Sequence, residues 1–587
     1  MRRAGPAVTA PSTAESRALL RERALLVLLG LVLFAAGLGL RDPWPADEPR
    51  FALIARDMVA TGQWLFPQVG GDWYQDKPPL FFWAIATAYA ATGSLRIAFL
   101  LPSLVAALGC LLLVHDLGRR LWSREVGLAA ALLLLGSLQF AIQARVAQID
   151  MLLCLCTTAG LYGLARHLLA GPDPRAFAAG GFACGLGVVA KGTGFLPLLL
   201  LLPYLLMRRR GFAVTPAAAA QRHFALPFVL ALAAILLWLV PMLSVSSLSG
   251  DAGLAAYRDE LLLKQTVTRY AAAWHHHEPW WYFLVEVIPL LWLPGVLLLP
   301  WAVPHWRRAW RERDPRPWLF IGWILLVLVF FSASSGKRGV YLLPALPAFV
   351  LALAPALVET NVRRVAGRIG LLLALLVGVV LLGAWLYLGH VAPARGAALL
   401  ARHPAASLLP LLVAGVAVVA LTGVVAAGSR GAHTPARGAL AWFGALAVVC
   451  WVQGLWVNPQ LDAERSGRDF IRRIEAGLPP RAEFAMMGYR EQFLLQATRP
   501  VVNFGHRRWA EGRAEAEDAA RWLNERHNRW LLVDAANRAA CFSTAAAVPV
   551  GRSGGLDWVL VTGRADADCV RAGRAGAAIL YRARGAR

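Results

Sequence analysis

The chain has 587 residues and a formal net charge of +24; 58% of its residues are hydrophobic and 16% charged, where soluble domains carry about 25% charged residues. The apolar excess comes in long runs such as ALLVLLGLVLFAAGLGL from Ala24, and about 20 such residues cross a bilayer, so a soluble globular protein is excluded. The arginines are scattered between these runs instead of forming one basic domain, which argues against nucleic-acid binding and fits the positive-inside rule.

In chain order, the first run (24–40) follows Arg17, Arg21 and Arg23 in the manner of a signal peptide. No small-residue cleavage site follows it cleanly, so it reads as an uncleaved first span. The outer loop 41–95 comes next. In DEPRFALIARDMVATG, Phe51, Ile54, Ala55 and Met58 recur at helical spacing and predict a helix on the membrane surface. The run 79–93, led by QDKPPL, has an apolar part of about 15 residues, too short to cross, and predicts a second surface helix.

Further spans are predicted near 96–114, 126–144, 151–169, 175–190, 193–207, 224–243, 283–303, 317–333, 340–357, 368–389, 405–427 and 437–457, 13 in all. One set of connectors carries Arg119, Arg120 and Arg124, then Arg208, Arg209, Arg210 and Arg222, then HWRRAWRERDPRP, then NVRRVAGR. The positive-inside rule makes this set and the N-terminus cytoplasmic, and it places the C-terminus outside. Counting 79–93 as a span would put every later arginine cluster on the wrong side.

After Trp456 the chain turns polar, with helical patterns in GRDFIRRIEAG and EDAARWLNERH and short strand-like runs in AEFAMMG, RWLLVDA, DWVLVTG and AAILYRA. The fold class expected is therefore mostly α: a polytopic membrane helical bundle of about 13 transmembrane helices (1–457), two outer-surface helices, and a C-terminal periplasmic α/β or α+β domain (458–587). Of the seven cysteines, Cys154 and Cys156 lie inside an apolar run and read as packing. Cys541 and Cys569 are candidates for a disulfide in an oxidising compartment.

The chain uses lysine four times, at Lys77, Lys191, Lys264 and Lys337, and all four fall in connectors assigned to the outer face. A lysine is a compact point charge suited to phosphate. Other polar groups collect on the same face: Asp47, Glu48, Arg50, Arg56 and Asp57 in the first loop; Asp76 beside Lys77; Arg145 and Asp150 at adjacent span ends; and Tyr257, Glu260 and Arg269 in a long connector. That connector ends in HHHEPWWYF, and Lys337, Arg338 and Tyr341 follow in another turn. Singly these have bland readings, such as Asp47 capping a helix that has proline in its first turn. Together they mark one site. Three consecutive histidines do not converge on one ion, so a single ligand such as His277, joined by Asp76, is the physical version of a metal site.

The segment DEPRFALIARDMVATGQWLFPQVGGDWYQDKPPLFFW, followed in order by ARVAQIDM, AKGTGF, HHHEPWWYF, SGKRGVYLLPALP and NPQLDAERSGRDF, resembles bacterial C-type (GT-C) membrane glycosyltransferases. The nearest group is the lipid A aminoarabinose transferase (ArnT) family, related to protein O-mannosyltransferases. The resemblance covers roughly 24–475 and implies 13 spans and a periplasmic C-terminal domain. It also implies inverting transfer of a sugar from an undecaprenyl-type polyprenyl phosphate to a periplasmic acceptor such as lipid A, by an integral protein of the bacterial inner membrane. Many relatives have Glu where this chain has Asp76, which bears on any divalent metal (zinc, magnesium or manganese) held there.

For that chemistry the leaving phosphate needs fixed cations: Lys77 first, supported by Arg269, Lys337 and Lys191, with Tyr341 as a hydrogen-bond donor. A hydroxyl acceptor needs a base, Asp47 first and Asp150 second, with Glu48, Arg56 and Arg145 nearby in the same connectors. The expected enzyme is a monomer. Two alternatives stand beside it: a protein or glycan O-glycosyltransferase, and a lipid or sugar transporter. A transporter would show inverted repeats and mid-membrane charges, and the sequence shows no clear repeat.

Overall fold

A computed structural model describes residues 13–214, 223–262, 277–428, 434–506, 508–511 and 513–582. Each predicted span overlaps helical residues, but they are not 13 uniform rods. Among the described residues, eight helices are long and apolar enough to cross a membrane, or nine if one bent pair is a single span. The remainder differ for visible reasons. The Thr13–Phe34 helix carries charges in its first half, and Arg124–Leu135 and Leu138–Gln143 are separated by a break. Pro174–Ala190 has 17 residues, and Gly192–Leu200 is a 3-10 segment before Leu201–Arg209. The bent pair, Phe283–Leu291 with Gly295–Arg311, turns by 98°.

The first long loop folds as two helices joined by a hairpin. The Glu48–Thr61 helix has Pro49 in its first turn and ends at Gly62, whose φ of 74° is the left-handed geometry glycine tolerates. The Leu80–Thr92 helix has 13 residues, shorter than a crossing, as its sequence predicts. Between them β1 (Gln68–Val69) and β2 (Asp72–Trp73) pair antiparallel around Gly70 and Gly71, both at positive φ.

The C-terminal domain is a six-stranded mixed sheet of β3 (Glu483–Met486), β4 (Val501–Asn503), β5 (Arg529–Asp534), β6 (Ala546–Ser553), β7 (Leu556–Thr562) and β8 (Ile579–Tyr581), in the order β6-β7-β5-β3-β4-β8. Its centre is parallel, β5-β3-β4, and its flanks are antiparallel. Strand alternation divides its side chains between two cores. Ala485, Leu531, Val533, Val559 and Val561 pack with the Ala514–Asn524 helix, where Cys541 and Cys569 form a disulfide. Phe484, Met486, Leu532, Trp558 and Leu560 pack instead with Phe51, Ile54, Met58, Phe81 and Phe82 of the loop helices. The sheet and the first loop thus share one hydrophobic core.

Glu48 fixes that loop to the bundle. Its carboxylate is 7% exposed and receives both terminal nitrogens of Arg41, the backbone N–H of Trp44 at 3.0 Å and that of Ala147 at 3.1 Å. The pair is buried and fully satisfied, and breaking such a pair leaves an uncompensated charge at a cost of about 3–5 kcal/mol. Arg41→Ala should therefore lower the unfolding temperature of the detergent-solubilised protein sharply. An unchanged melting curve would show that Glu48 does not need its partner.

Candidate active site

Side chains from four separate connectors meet at the end of the bundle that faces the sheet domain. Asp47, just ahead of the first loop helix, has Arg50 at 4.0 Å on one side and Arg338 at 3.8 Å on the other. Arg338 precedes the Gly339–Ala345 3-10 turn, which carries Tyr341. The Tyr341 ring lies beneath the Lys191 ammonium at 4.5 Å, and Lys191 pairs with Asp150 at 2.5 Å. Glu48 completes the circuit, since the backbone it grips at Ala147 leads directly to Asp150. Asp47, Arg338, Tyr341, Lys191 and Asp150 thus form one continuous polar seam. Gln139 steadies it from within the bundle, donating to the Gly339 carbonyl at 2.8 Å while accepting from Trp292.

The other sequence-predicted residues have varied places. Asp76 and Lys77 are half-buried on the lead between the hairpin and the second loop helix, where Glu260 accepts from the adjacent Gln75 at 2.8 Å. Lys337 is 5% exposed and donates to the carbonyls of Glu278 and Ser334 at 2.7 and 2.6 Å, so two of its donors tie its own turn to the connector before Phe283. Arg56 donates to the Leu494 and Leu495 carbonyls and to Tyr581, docking the loop onto the sheet domain. Arg145 binds the Ala36 and Cys450 carbonyls and Gln453, at a crossing where a Cβ on Gly454 would lie 2.3 Å from the Ala36 oxygen. Arg269, Lys264, His275 and His276 lie outside the described residues.

A metal centre needs converging donors. Among the described residues no three His, Cys, Asp or Glu side chains gather as one would require. His277 is exposed, with its backbone bridged to Gly336. The described residues therefore do not fit the Asp76–His277 metal site.

Sequence reasoning missed the part taken by the sheet domain. The carboxyl ends of its parallel strands, where α/β sheets present their functional loops, point at the hairpin that precedes Lys77. Tyr489 donates to the Val69 carbonyl at 3.3 Å, Asn503 to the Gly70 carbonyl at 2.9 Å, and the His506 backbone N–H to Asp72 at 2.8 Å. Glu491 takes Arg50 at 2.6 Å, and Tyr581 donates to Asp57 at 2.7 Å. The signal available was the polar turn after each strand-like run, YREQ after AEFAMM and FGHRR after VVN.

Burial and neighbouring charge shift three groups where the first loop meets the sheet domain. Burial opposes the Arg50 charge, but Glu491, Tyr74 and Asp47 outweigh it and raise its pKa. The His506 ring, packed at 5.5 Å from the Tyr74 ring, is pushed down to about 4 by burial and then by Arg50. Burial raises the neighbouring Asp72 carboxyl.

Comparison with known proteins adds the family context. A family model described as dolichyl-phosphate-mannose-protein mannosyltransferase matches residues 76–244. The chain is 32% identical over 343 residues to the undecaprenyl phosphate-alpha-4-amino-4-deoxy-L-arabinose arabinosyl transferase of Pseudomonas aeruginosa, covering 57% of this chain and 59% of that one. A counterpart named arabinosyl transferase 2 in Pseudomonas fluorescens is 31% identical over 382 residues, 61% of this chain and 64% of the other. In both cases the match spans less than two thirds of the relative's length. The crystal structure of ArnT from Cupriavidus metallidurans bound to undecaprenyl phosphate superposes with a TM-score of 0.70 at 19% identity, covering 93% of this chain and 98% of that one. The apo oligosaccharyltransferase of Archaeoglobus fulgidus gives 0.51 at 12% identity, covering 89% and 70%. At these identities the structural likeness is one of fold.

His506 yields a pH prediction. A histidine that titrates near 4 when folded and near 6.5 when unfolded gives stability that is complete above about pH 6.5 and lost as pH falls toward 4, up to about 3 kcal/mol. Asp72 titrates in the opposite sense, so a variant must isolate the histidine. His506→Phe, which keeps a ring against Tyr74, should flatten the fall in melting temperature between pH 7.5 and 4.5. A slope equal to wild type would exclude His506 as its cause.

The shared loop-and-sheet core, the helical bundle and these matches agree: the chain has the fold of the ArnT-like membrane glycosyltransferases of the GT-C class.

Proposed function

We propose that this protein is an inner-membrane glycosyltransferase that moves a sugar from a polyprenyl phosphate, of the undecaprenyl kind, to an acceptor on the outer face, with lipid A or lipopolysaccharide as that acceptor. The observation that carries the reading is the polar seam of Asp47, Arg338, Tyr341, Lys191 and Asp150, gathered from four connectors at one end of a membrane bundle. The names of the Pseudomonas relatives support the donor and the sugar class. The bundle occupies 1–457 with a cytoplasmic N-terminus, and 458–587 form a periplasmic domain. The Cys541–Cys569 disulfide supports that side, because disulfides persist in oxidising compartments.

The donor phosphate is met by Lys77, with Arg269 and Lys337 in support and the Tyr341 hydroxyl as a donor. Their charge stabilises the phosphate as it departs. The acceptor oxygen attacks the anomeric carbon from the opposite face, the bond from that carbon to the phosphate oxygen breaks, and the polyprenyl phosphate leaves with the electron pair. Asp47 takes the proton of a hydroxyl or of a monoprotonated phosphate. Lys191 holds Asp150 in place as a second acid facing the acceptor. An apolar groove of about 570 Å³, lined by Phe195, Leu198, Leu202, Leu205 and Phe228 with Arg208 its one charged wall residue, suits the polyprenyl tail.

The family model described as a protein mannosyltransferase favours a second reading, the same transfer to a protein hydroxyl. A labelled polyprenyl-phosphate sugar mixed with purified protein and either lipid A or an unfolded acceptor peptide separates the two. Release of free polyprenyl phosphate with label in lipid A is expected; label in the peptide alone would establish the second reading, and no release would sink both. Lys77→Ala should reduce transfer by at least a thousandfold at normal expression and membrane insertion. Near-normal activity would remove Lys77 from the site.

A further inference from the structure

Glu491 stands at the start of the Glu491–Gln496 helix, just past the carboxyl end of β3, and the mechanism above gives it no part. Its Oε1 accepts from Arg50 Nε at 2.6 Å, across 441 residues of sequence. Arg50 Nη1 stands 4.0 Å from Asp47 Oδ1. One guanidinium is therefore shared unequally between two acids, and the nearer acid belongs to the sheet domain. On the other side Arg338 approaches Asp47 Oδ2 to 3.8 Å, again beyond hydrogen-bond reach. Asp47 makes no side-chain capping bond to its own helix. Its carboxylate lies in the field of two arginines, yet neither occupies its lone pairs at hydrogen-bond distance.

The distinction matters chemically. An ion pair at 4 Å keeps a carboxylate ionised and leaves its oxygens available. A charge-assisted hydrogen bond at about 2.8 Å would occupy a lone pair and lower its basicity. We propose that Glu491 is a positioning residue for the transfer reaction: it holds Arg50 off Asp47, so that the Asp47 carboxylate remains free to receive the acceptor's proton. This rests on the reading of Asp47 as the group that faces the acceptor. Because Glu491 comes from the sheet domain, the site is incomplete without that domain. Tyr489, Asn503 and His506 keep the two parts in register by gripping the hairpin beside it.

The test uses the full-length protein in detergent, a labelled polyprenyl-phosphate sugar and its acceptor. Glu491→Gln keeps the shape and an acceptor oxygen but removes the charge that outcompetes Asp47. The expected result is a kcat about tenfold lower with no rise in donor KM in protein that remains folded at the assay temperature, and Glu491→Asp restoring most of the rate. In Glu491→Gln combined with Arg50→Gln the guanidinium that Glu491 restrains is gone, while Arg338 stands as it does in the wild type, so the double variant should be no slower than Arg50→Gln alone. A wild-type kcat in Glu491→Gln, a loss seen only as raised KM or lost folded protein, or an additive loss in the double variant would each overturn the proposal. Asp47→Asn separates the two levels. If it runs at the wild-type rate, the reading of Asp47 itself fails. If it is inactive while Glu491→Gln runs normally, only the role of Glu491 falls.

Discussion

The buried Glu48 carboxylate is the constraint on which the site depends. It takes four donors from three places, two from Arg41, one from Trp44 and one from Ala147, and so ties the start of the first loop to the turn that launches the Ile149–Leu169 helix. Its neighbours in sequence inherit that fixity: Asp47 on one side, and Asp150 three residues beyond the tethered Ala147. Two acids more than a hundred positions apart are held by one group that touches neither. A fixed frame of this kind suits electrostatic catalysis, which relies on charges that do not reorganise during the reaction.

Around this pin the charges are arranged in compensated pairs. Asp42 and Asp462 share Arg96 and Arg468 at the junction of loop, bundle and sheet, and Arg41 and Arg465 lie against the Trp44 ring. Lys191 and Asp150 neutralise each other beside Tyr341. Such pairing keeps a strongly basic chain from presenting indiscriminate positive charge beside a low-dielectric phase. It also means that a residue's sign says little about its availability. Lys337 and Arg145 stand out in the sequence only as cations at span ends, and in the fold each also donates to backbone carbonyls.

This difference marks what the sequence could reveal. The bundle was legible because apolar length and arginine placement are local signals, and the 13-residue Leu80–Thr92 helix was legible because its length is a hard bound. Asp47, Asp150, Lys191 and Tyr341 were legible as polar residues at the ends of spans. The 98° bend that helps leave eight or nine clear spans among the described residues falls at Pro294 and Gly295, and a helix break falls at Gly136 and Ser137, signals that apolar content by itself does not register. The contacts of Glu491 with Arg50 and of Tyr581 with Asp57 join residues 441 and 524 positions apart, and no local pattern records such a meeting. The alternation in the C-terminal strands announced a sheet but not what its second face would cover.

That second face has a consequence for how the molecule is made. The loop helices are synthesised about 400 residues before the strands that complete their core, which lie between 483 and 581. Closing contacts of such range carries the entropy of a very long loop, and it cannot happen until the intervening helices are in place. Through most of biosynthesis the charged lead at Asp76 and Lys77 therefore exists without its roof. The core shared by loop and sheet is complete only once these strands are present, and a chain that ends before β8 lacks Tyr581, which is part of it.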